Sequence, residues 1–419
     1  MAMWKEEKKK RNARGSVLRG QGYEILGIGF VLLLLGFGIL NLASPDREFS
    51  ETENRMLEQR PDVQLSSVAD GRFMKSFETW QTDQFVFRDG WIRLRTAADR
   101  MLGKKESGGV FLGEDGCLYE KPEKLGEAAW TSLYAIREFA GRHLELPVYL
   151  MLVPDAAGVK AEELPPFAPV EAQARQLEEI GAYLGDAVRQ IPVYEALREH
   201  RGEYLYYRTD HHWTTLGAWY AYQEAAGAMG LEAAAGEGTE PPLYPVSDSF
   251  EGTLASVSGY RAEPDTISVY WPDSQPDLVV SYVQEQEESA SLYASQKLKT
   301  RDQYGMFLNG NHPLVRIRTM AESSRRLLLV KDSYANCFVP YLTSQFQEIV
   351  LVDPRYYYGN LESLLEEEGF TDVLFLYNLN TFLADDVLHL ALEAPQQETQ
   401  QQEAPQQEAA REAGSPTEG

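Results

Sequence analysis

Hydrophobic positions change their period several times along the 419-residue chain. Ile25–Ala43, reading ILGIGFVLLLLGFGILNLA, carries no charge over 19 residues. About 20 apolar residues take a helix across the hydrocarbon core, so this run predicts a membrane-spanning helix. Ser44 to Asp62 is polar and charged, which suits a stalk leaving a membrane. Over residues 66–102 the apolar positions Val68, Phe73, Phe77, Trp80, Phe85 and Trp91 recur mostly at three- to six-residue steps, which predicts helix. In Gly108–Glu120, short apolar runs flank Glu114–Asp115–Gly116, the pattern of a β-hairpin.

From about residue 131 the pattern becomes an alternation of helix and strand. Trp130–His143, Glu171–Gln190 and Thr214–Gly230 read as helices, with Gly230 as the C-terminal stop of the last. Pro147–Val153, Arg326–Val330, Glu348–Val352 and Asp372–Tyr377 are apolar on both faces and read as buried strands, and Pro192–Tyr194 and Tyr204–Tyr207 are strand-like. Strands of this kind separated by helices predict an α/β fold, a mostly parallel sheet with helices on both faces. Between about 236 and 320 the rhythm breaks, with β-like runs at Ile267–Trp271 and Leu278–Val283, and a β-rich insertion or side subdomain is expected there. The predicted organisation is a basic N-terminus (1–24), an anchor (25–43), a stalk (44–65), an α/β domain (66–393) and a low-complexity tail (394–419). That tail is rich in Gln, Glu and Ala, without aromatic or branched apolar residues, and predicts disorder.

Charge sharpens the topology. The formal net charge is -25, yet residues 1–20 hold seven Lys/Arg against two Glu, so the rest is more acidic than the total suggests. A body this acidic is a poor candidate for binding nucleic acid, because phosphate contacts need a basic face. The positive-inside bias puts the N-terminus in the cytoplasm and the main domain outside, in a single-pass cell-membrane protein. A cleaved signal peptide is the competing reading, but cleavage after Ala43 would set Asn41 where a small residue is preferred. Cys117 and Cys337 form no framework or metal-ligand spacing, and Cys337 reads as a small buried residue on a helix.

Polar residues gather where apolar runs end. In Arg208–Thr215, RTDHHWTT, Asp210 can hold the Nδ1–H of His212, fixing the tautomer and leaving Nε2 as a base. Helix capping by Asp210 and Thr214 explains the same residues without chemistry. A metal site would need carboxylates for its remaining ligands, and neither metal nor cofactor is expected. In Arg326–Leu342, RLLLVKDSYANCFVPYL, Ser333 follows a strand and opens a helix, as an N-cap or as a nucleophile beside unsatisfied N–H groups. Asn378, just past Asp372–Tyr377, is turn chemistry or an oxyanion donor. All of these are expected on one carboxyl edge of one sheet. Trp213, Trp219, Tyr334 and Tyr356 are either sugar-stacking surfaces or core.

RTDHHW with KDSYANCFVPYL resembles the DHHW-motif proteins, similar to SGNH-hydrolase-like domains of the alginate O-acetyltransferase type. The likeness runs over roughly residues 45–392 and takes in ETENR (Glu51–Arg55), GVFLGEDGCLYE, FLNGNHP (Phe307–Pro313) and DPRYY (Asp353–Tyr357). It implies a permuted motif order, Asp-x-His before the serine, with Ser333 as nucleophile, His212 as base and Asp210 as its orienter. Asn378, or Asn380 in a shifted register, takes the oxyanion position, and Trp213, Tyr334, Arg355 and Tyr356 are implied in substrate binding. The sequence departs from the usual Gly-Asp-Ser block of SGNH enzymes, having Lys331 where the glycine is expected, and shows no counterpart of the oxyanion glycine after Glu348–Val352. The implied activity is acyl transfer to, or ester hydrolysis on, a cell-envelope polysaccharide, with a membrane-bound O-acyltransferase as acetyl donor. The alternative is a catalytically inactive carbohydrate-binding or scaffold protein of a polysaccharide modification or export complex.

Overall fold

The computed structural model describes residues 26–47, 49–50, 55–64, 67–68, 71–169, 171–232, 241–274 and 276–393. The basic N-terminus, the 394–419 tail and most of ETENR lie outside the described residues.

Eight strands form the main sheet: β1 (Val148–Val153), β2 (Arg189–Gln190), β3 (Leu278–Tyr282), β4 (Glu287–Ser289), β5 (Leu314–Thr319), β6 (Arg326–Lys331), β7 (Glu348–Val352) and β8 (Asp372–Asn378). Their spatial order is β4-β3-β5-β7-β6-β8-β1-β2. The block β7-β6-β8-β1-β2 is parallel, and β5, β3 and β4 extend it antiparallel. The sheet is thus mixed, with the parallel half expected from the two-sided apolar runs.

Alternation along each central strand builds a core on each face. Leu327, Leu329, Ile349, Leu351, Leu374 and Leu376 face one side, with the helix α3 (Thr215–Met229) packed over them. Leu328, Val330, Val350, Val352, Val373 and Phe375 face the other, under α1 (Glu127–Arg142) and α2 (Gln173–Leu184). Gly230 ends α3 in the left-handed region at φ 62°, where it costs little because glycine has no Cβ. The hairpin expected over Gly108–Glu120 is present, pairing Val110–Leu112 with Leu118–Glu120.

Several expectations are corrected. Tyr204–Tyr207 is not a sheet strand; its one bridge joins Tyr206 to Trp213, so RTDHHW sits in a closed loop rather than at a strand end. Pro192–Tyr194 is the start of a helix, Val193–Glu199. The 236–320 region is not a side subdomain throughout, because β3, β4 and β5 complete the main sheet. Its remaining strands, Leu243–Phe250 and Asp265–Tyr270, pair antiparallel with each other. The stalk folds back: the Glu58 N–H donates to Asp83, the Arg47 N–H to Gln84, and Leu57 is buried.

Leu26–Ala43 forms one apolar helix of 18 residues, long enough to cross a membrane, with no residue fully buried and only its C-terminal half partly covered, as at Phe37 and Asn41.

Leu329 lies at the centre of β6 with no exposed surface. Leu329→Ala is expected to lower unfolding free energy by about 3 kcal/mol, read from urea denaturation. A change below about 1 kcal/mol would place this strand outside the cooperative core.

Candidate active site

The site is assembled from segments far apart in sequence. The loop carrying Asp210 and His212 is fixed by Asp265, a fully buried carboxylate at the start of its strand. Asp265 accepts hydrogen bonds from the Arg208 and Thr209 N–H groups at 2.8 Å, from the Thr209 hydroxyl and from the Tyr204 hydroxyl. Trp213, fully buried, donates its indole N–H to the Tyr334 carbonyl at 2.9 Å, while the Tyr334 hydroxyl donates to the His211 carbonyl. These reciprocal bonds tie the loop to the turn after β6. On that turn, Asp332 accepts the Tyr334 N–H and, from β8, the Asn378 N–H, each at 2.8 Å. Ser333 is thereby set between two restrained neighbours.

The result is a continuous relay. Asp210 Oδ1 lies 2.5 Å from His212 Nδ1, and His212 Nε2 lies 2.7 Å from Ser333 Oγ. With Nδ1–H donating to the carboxylate, Nε2 accepts the serine hydroxyl proton. Asp210 Oδ2 accepts the Thr253 N–H at 2.8 Å and its hydroxyl at 3.0 Å. His211 is not equivalent to His212; its Nδ1 reaches Thr253 Oγ1 at 2.7 Å. Tyr304 stacks on His212 with centroids 3.7 Å apart and 14° between planes, and its hydroxyl donates to the Ser333 carbonyl. The base is therefore fixed in orientation from both its edge and its face.

Electrostatics suit this division of labour. Burial acts to raise the Asp210 pKa, but the His211 and His212 imidazoles and the Thr253 N–H outweigh it, holding the carboxyl well below its usual range. Burial, then repulsion from His211, pushes His212 down to about 4, against the opposing pull of Asp210. At neutral pH the imidazole is uncharged and free to accept a proton. Asp210, His211 and His212 are close enough to share a metal ion. Both nitrogens of His212 are already engaged, however, one by a carboxylate and one by a hydroxyl.

The remaining sequence candidates divide. Arg355 lines the same cleft as Ser333 and His212, its guanidinium held bidentate by Asp353 at 2.8 and 2.6 Å. Asn378 is corrected: its amide donates to Asp155 and its Oδ1 caps the next helix, leaving it buried away from the cleft. Asn380 is likewise turned to Lys121 and Glu123. Trp213 and Tyr334 are core, with no face for a ligand, and Trp219 packs among Tyr222, Tyr270 and Tyr341. Tyr356 is partly exposed outside the cleft lining.

Sequence reasoning missed Thr253, Tyr304, Arg301, Asn311 and Asn336, which all line the cleft. The one available signal was Asn309–Gly310 inside FLNGNHP: both residues have positive φ, which turns the chain toward Ser333. Lys331 explains part of this group. Buried beneath the turn, it donates to Asn336 Oδ1 at 2.8 Å and Asn311 Oδ1 at 3.3 Å and lies 3.7 Å from Asp353. It fixes two amides at the cleft. A nucleophile, an oriented neutral base and nearby N–H donors are the requirements of acyl transfer through a covalent serine.

Two outcomes test this geometry through the rate at which Ser333 reacts with a sulfonyl fluoride. A Cβ at Gly252 would lie 2.2 Å from Asp210 Cβ, so Gly252→Ala must displace the carboxylate. The rate is expected to fall about 100-fold, with the far-UV circular dichroism unchanged. In the unmodified chain, the rate should fall with acidification through a midpoint at about pH 4, because protonation removes the base. A midpoint at about 6.5, that of a free imidazole, would show His212 to be solvated.

A search of curated proteins finds none that matches the chain. Among solved structures, a DHHW family protein from Eubacterium siraeum aligns with a TM-score of 0.60 at 24% identity, over 68% of this chain and 95% of its own. PatB1 of Bacillus cereus aligns with a TM-score of 0.55 at 20% identity, over 66% of this chain and 98% of its own. The same protein with a sulfonyl adduct aligns with a TM-score of 0.53. These likenesses are to the fold, the SGNH-hydrolase-like α/β architecture implied by the sequence. The model of the DHHW protein family matches residues 145–352, the stretch that holds both Asp210–Trp213 and Ser333, so over that stretch the chain is similar to the DHHW proteins.

Proposed function

We propose that the chain is a membrane-anchored serine O-acyltransferase or esterase acting on a cell-envelope polysaccharide outside the cytoplasm. The observation that carries this reading is the 2.7 Å contact between His212 Nε2 and Ser333 Oγ, in line with the 2.5 Å contact from His212 Nδ1 to Asp210. In the first half-reaction Ser333 Oγ attacks the acyl carbonyl and its proton passes to His212 Nε2. The tetrahedral intermediate collapses, the donor's oxygen leaves with that proton, and an acyl-serine remains. A sugar hydroxyl, or water, then attacks the ester while His212 takes its proton and returns it to Ser333.

Asn311, whose Oδ1 accepts from Lys331 and from the Asn336 amide, lines the cleft and can take the oxyanion role first assigned to Asn378. Arg301 and Arg355 give the cleft cationic groups for an oxygen-rich acceptor. The fold neighbour PatB1 has been captured with a sulfonyl adduct, and reagents of that class report an activated nucleophile. The helix Leu26–Ala43 would serve as an uncleaved anchor with a cytoplasmic N-terminus, residues 44–65 as a connection, and 66–393 as the catalytic domain. A membrane-bound O-acyltransferase supplying the acetyl group would complete this reading.

Turnover of a chromogenic acetyl ester is the direct test. Ser333→Ala should lower kcat about 1,000-fold or more, and a sulfonyl fluoride should add one mass label, on Ser333 alone. Equal turnover by the alanine variant would overturn the enzyme reading in favour of a scaffold.

A further inference from the structure

Helix α3 and its neighbours bury their apolar faces, but the helix Arg88–Met101 does not. Phe87, Trp91, Leu94, Met101 and Leu102 are 73%, 44%, 60%, 89% and 77% exposed. At 100° per residue these positions, with Ala98, fall within an arc of about 100° on one side of the helix. The opposite side carries Ile92 and Thr96 and faces the protein, where the Thr96 hydroxyl donates to the Ser258 carbonyl at 2.9 Å. The apolar stripe therefore points away from the body. Arg95 flanks it on one edge, while Arg93 and Arg100 lie further round toward the body, Arg93 beside Thr209 and Tyr260.

The stripe is continuous with the apolar N-terminal helix. Phe37 of that helix packs on Phe85 and Trp91, with ring centroids 6.2 and 5.8 Å apart, and Asn41 Oδ1 accepts the Val86 N–H at 2.9 Å. Phe37 lies six residues before Ala43, which at the helical rise is about 9 Å in from the helix end. That depth matches the roughly 5–10 Å to which interfacial helices sink.

From this juxtaposition we infer that Arg88–Met101 lies in the outer interface of the membrane, its stripe from Phe87 to Leu102 among acyl chains and Arg95 at the stripe's edge beside anionic headgroups. The inference rests on the reading of Leu26–Ala43 as an uncleaved span. Trp91 sits at the depth where indoles concentrate, and arginine stems can cover apolar surface while their heads stay with phosphates. A basic amphipathic helix beside a span adds a second contact with the same bilayer. Through Thr96 and Ser258 the contact reaches the helix Thr253–Ser258, whose first residue holds Asp210. The cleft is thereby held in a fixed orientation over the membrane instead of swinging on a stalk.

The test uses the full chain in vesicles of phosphatidylcholine and phosphatidylglycerol, about 3:1, with bromine on the acyl chains of the quenching lipid. Tryptophan quenching in the unmodified chain should exceed that in Trp91→Phe by about twofold or more. Chains resistant to alkaline extraction but quenched equally, with or without Trp91, would overturn the inference alone. Chains stripped by alkaline extraction would overturn the spanning reading, and this inference with it. Trp91 emission that shifts with protein density in the vesicles and ignores brominated lipid would assign the stripe to a second copy of the chain, also overturning the inference.

Discussion

Most of the site depends on two buried carboxylates that never touch the reacting atoms. Asp265 and Asp332 are both fully buried, and both collect backbone N–H groups that no helix or strand could satisfy. Burying a carboxylate is costly unless donors surround it. Burial raises both groups, and the donors act against it. In return each carboxylate fixes an irregular turn: Asp265 the turn before Asp210, Asp332 the turn at Ser333. The contact between His212 and Ser333 joins residues 121 positions apart, and its 2.7 Å length rests on two turns each fixed by its own buried carboxylate.

That dependence explains what the sequence could and could not reveal. The central strands were legible because a strand covered on both faces must be apolar throughout, as Leu327–Val330 and Ile349–Val352 are. Asp210, His212 and Ser333 were legible because the relay needs these side chains and the family motif holds them in order. Tyr204–Tyr207 has the composition of a strand, but its partners are Asp265 and Trp213, and neither contact leaves a local mark. Asn378 looked available because nothing in its own segment announces Asp155, which claims its amide from 223 residues away. Trp213 and Tyr334 were read as ligand surfaces as well as core, and the mutual bonds that bury them decide for core.

The departure at Lys331 has a physical consequence of its own. A lysine in place of the expected glycine removes room for close backbone approach, yet here the side chain runs beneath the turn and ends among Asn336, Asn311 and Asp353. Burial lowers its pKa, with Asp353 opposing that shift. Asp353 is shared with Arg355, so one carboxylate steadies a lysine below the cleft and an arginine lining it. Below the cleft the chain thus carries a small network of charge and amide. The network also accounts for the FLNGNHP segment, whose Asn311 and Gly310 reach the cleft through a positive-φ turn.

Charge distribution connects the cleft to its surroundings. An acidic body is repelled by an anionic membrane surface, so a domain tethered only by a polar stalk would hold itself off. The chain does the reverse at one place: Arg47 and Glu58 bond to Gln84 and Asp83 at the end of the helix Arg72–Asp83, and Arg88–Met101 packs against the apolar helix through Trp91 and Phe37. With Leu26–Ala43 spanning the membrane as proposed, repulsion over most of the surface and burial of the stripe from Phe87 to Leu102 would together select a single orientation of the cleft, where either force alone would leave several.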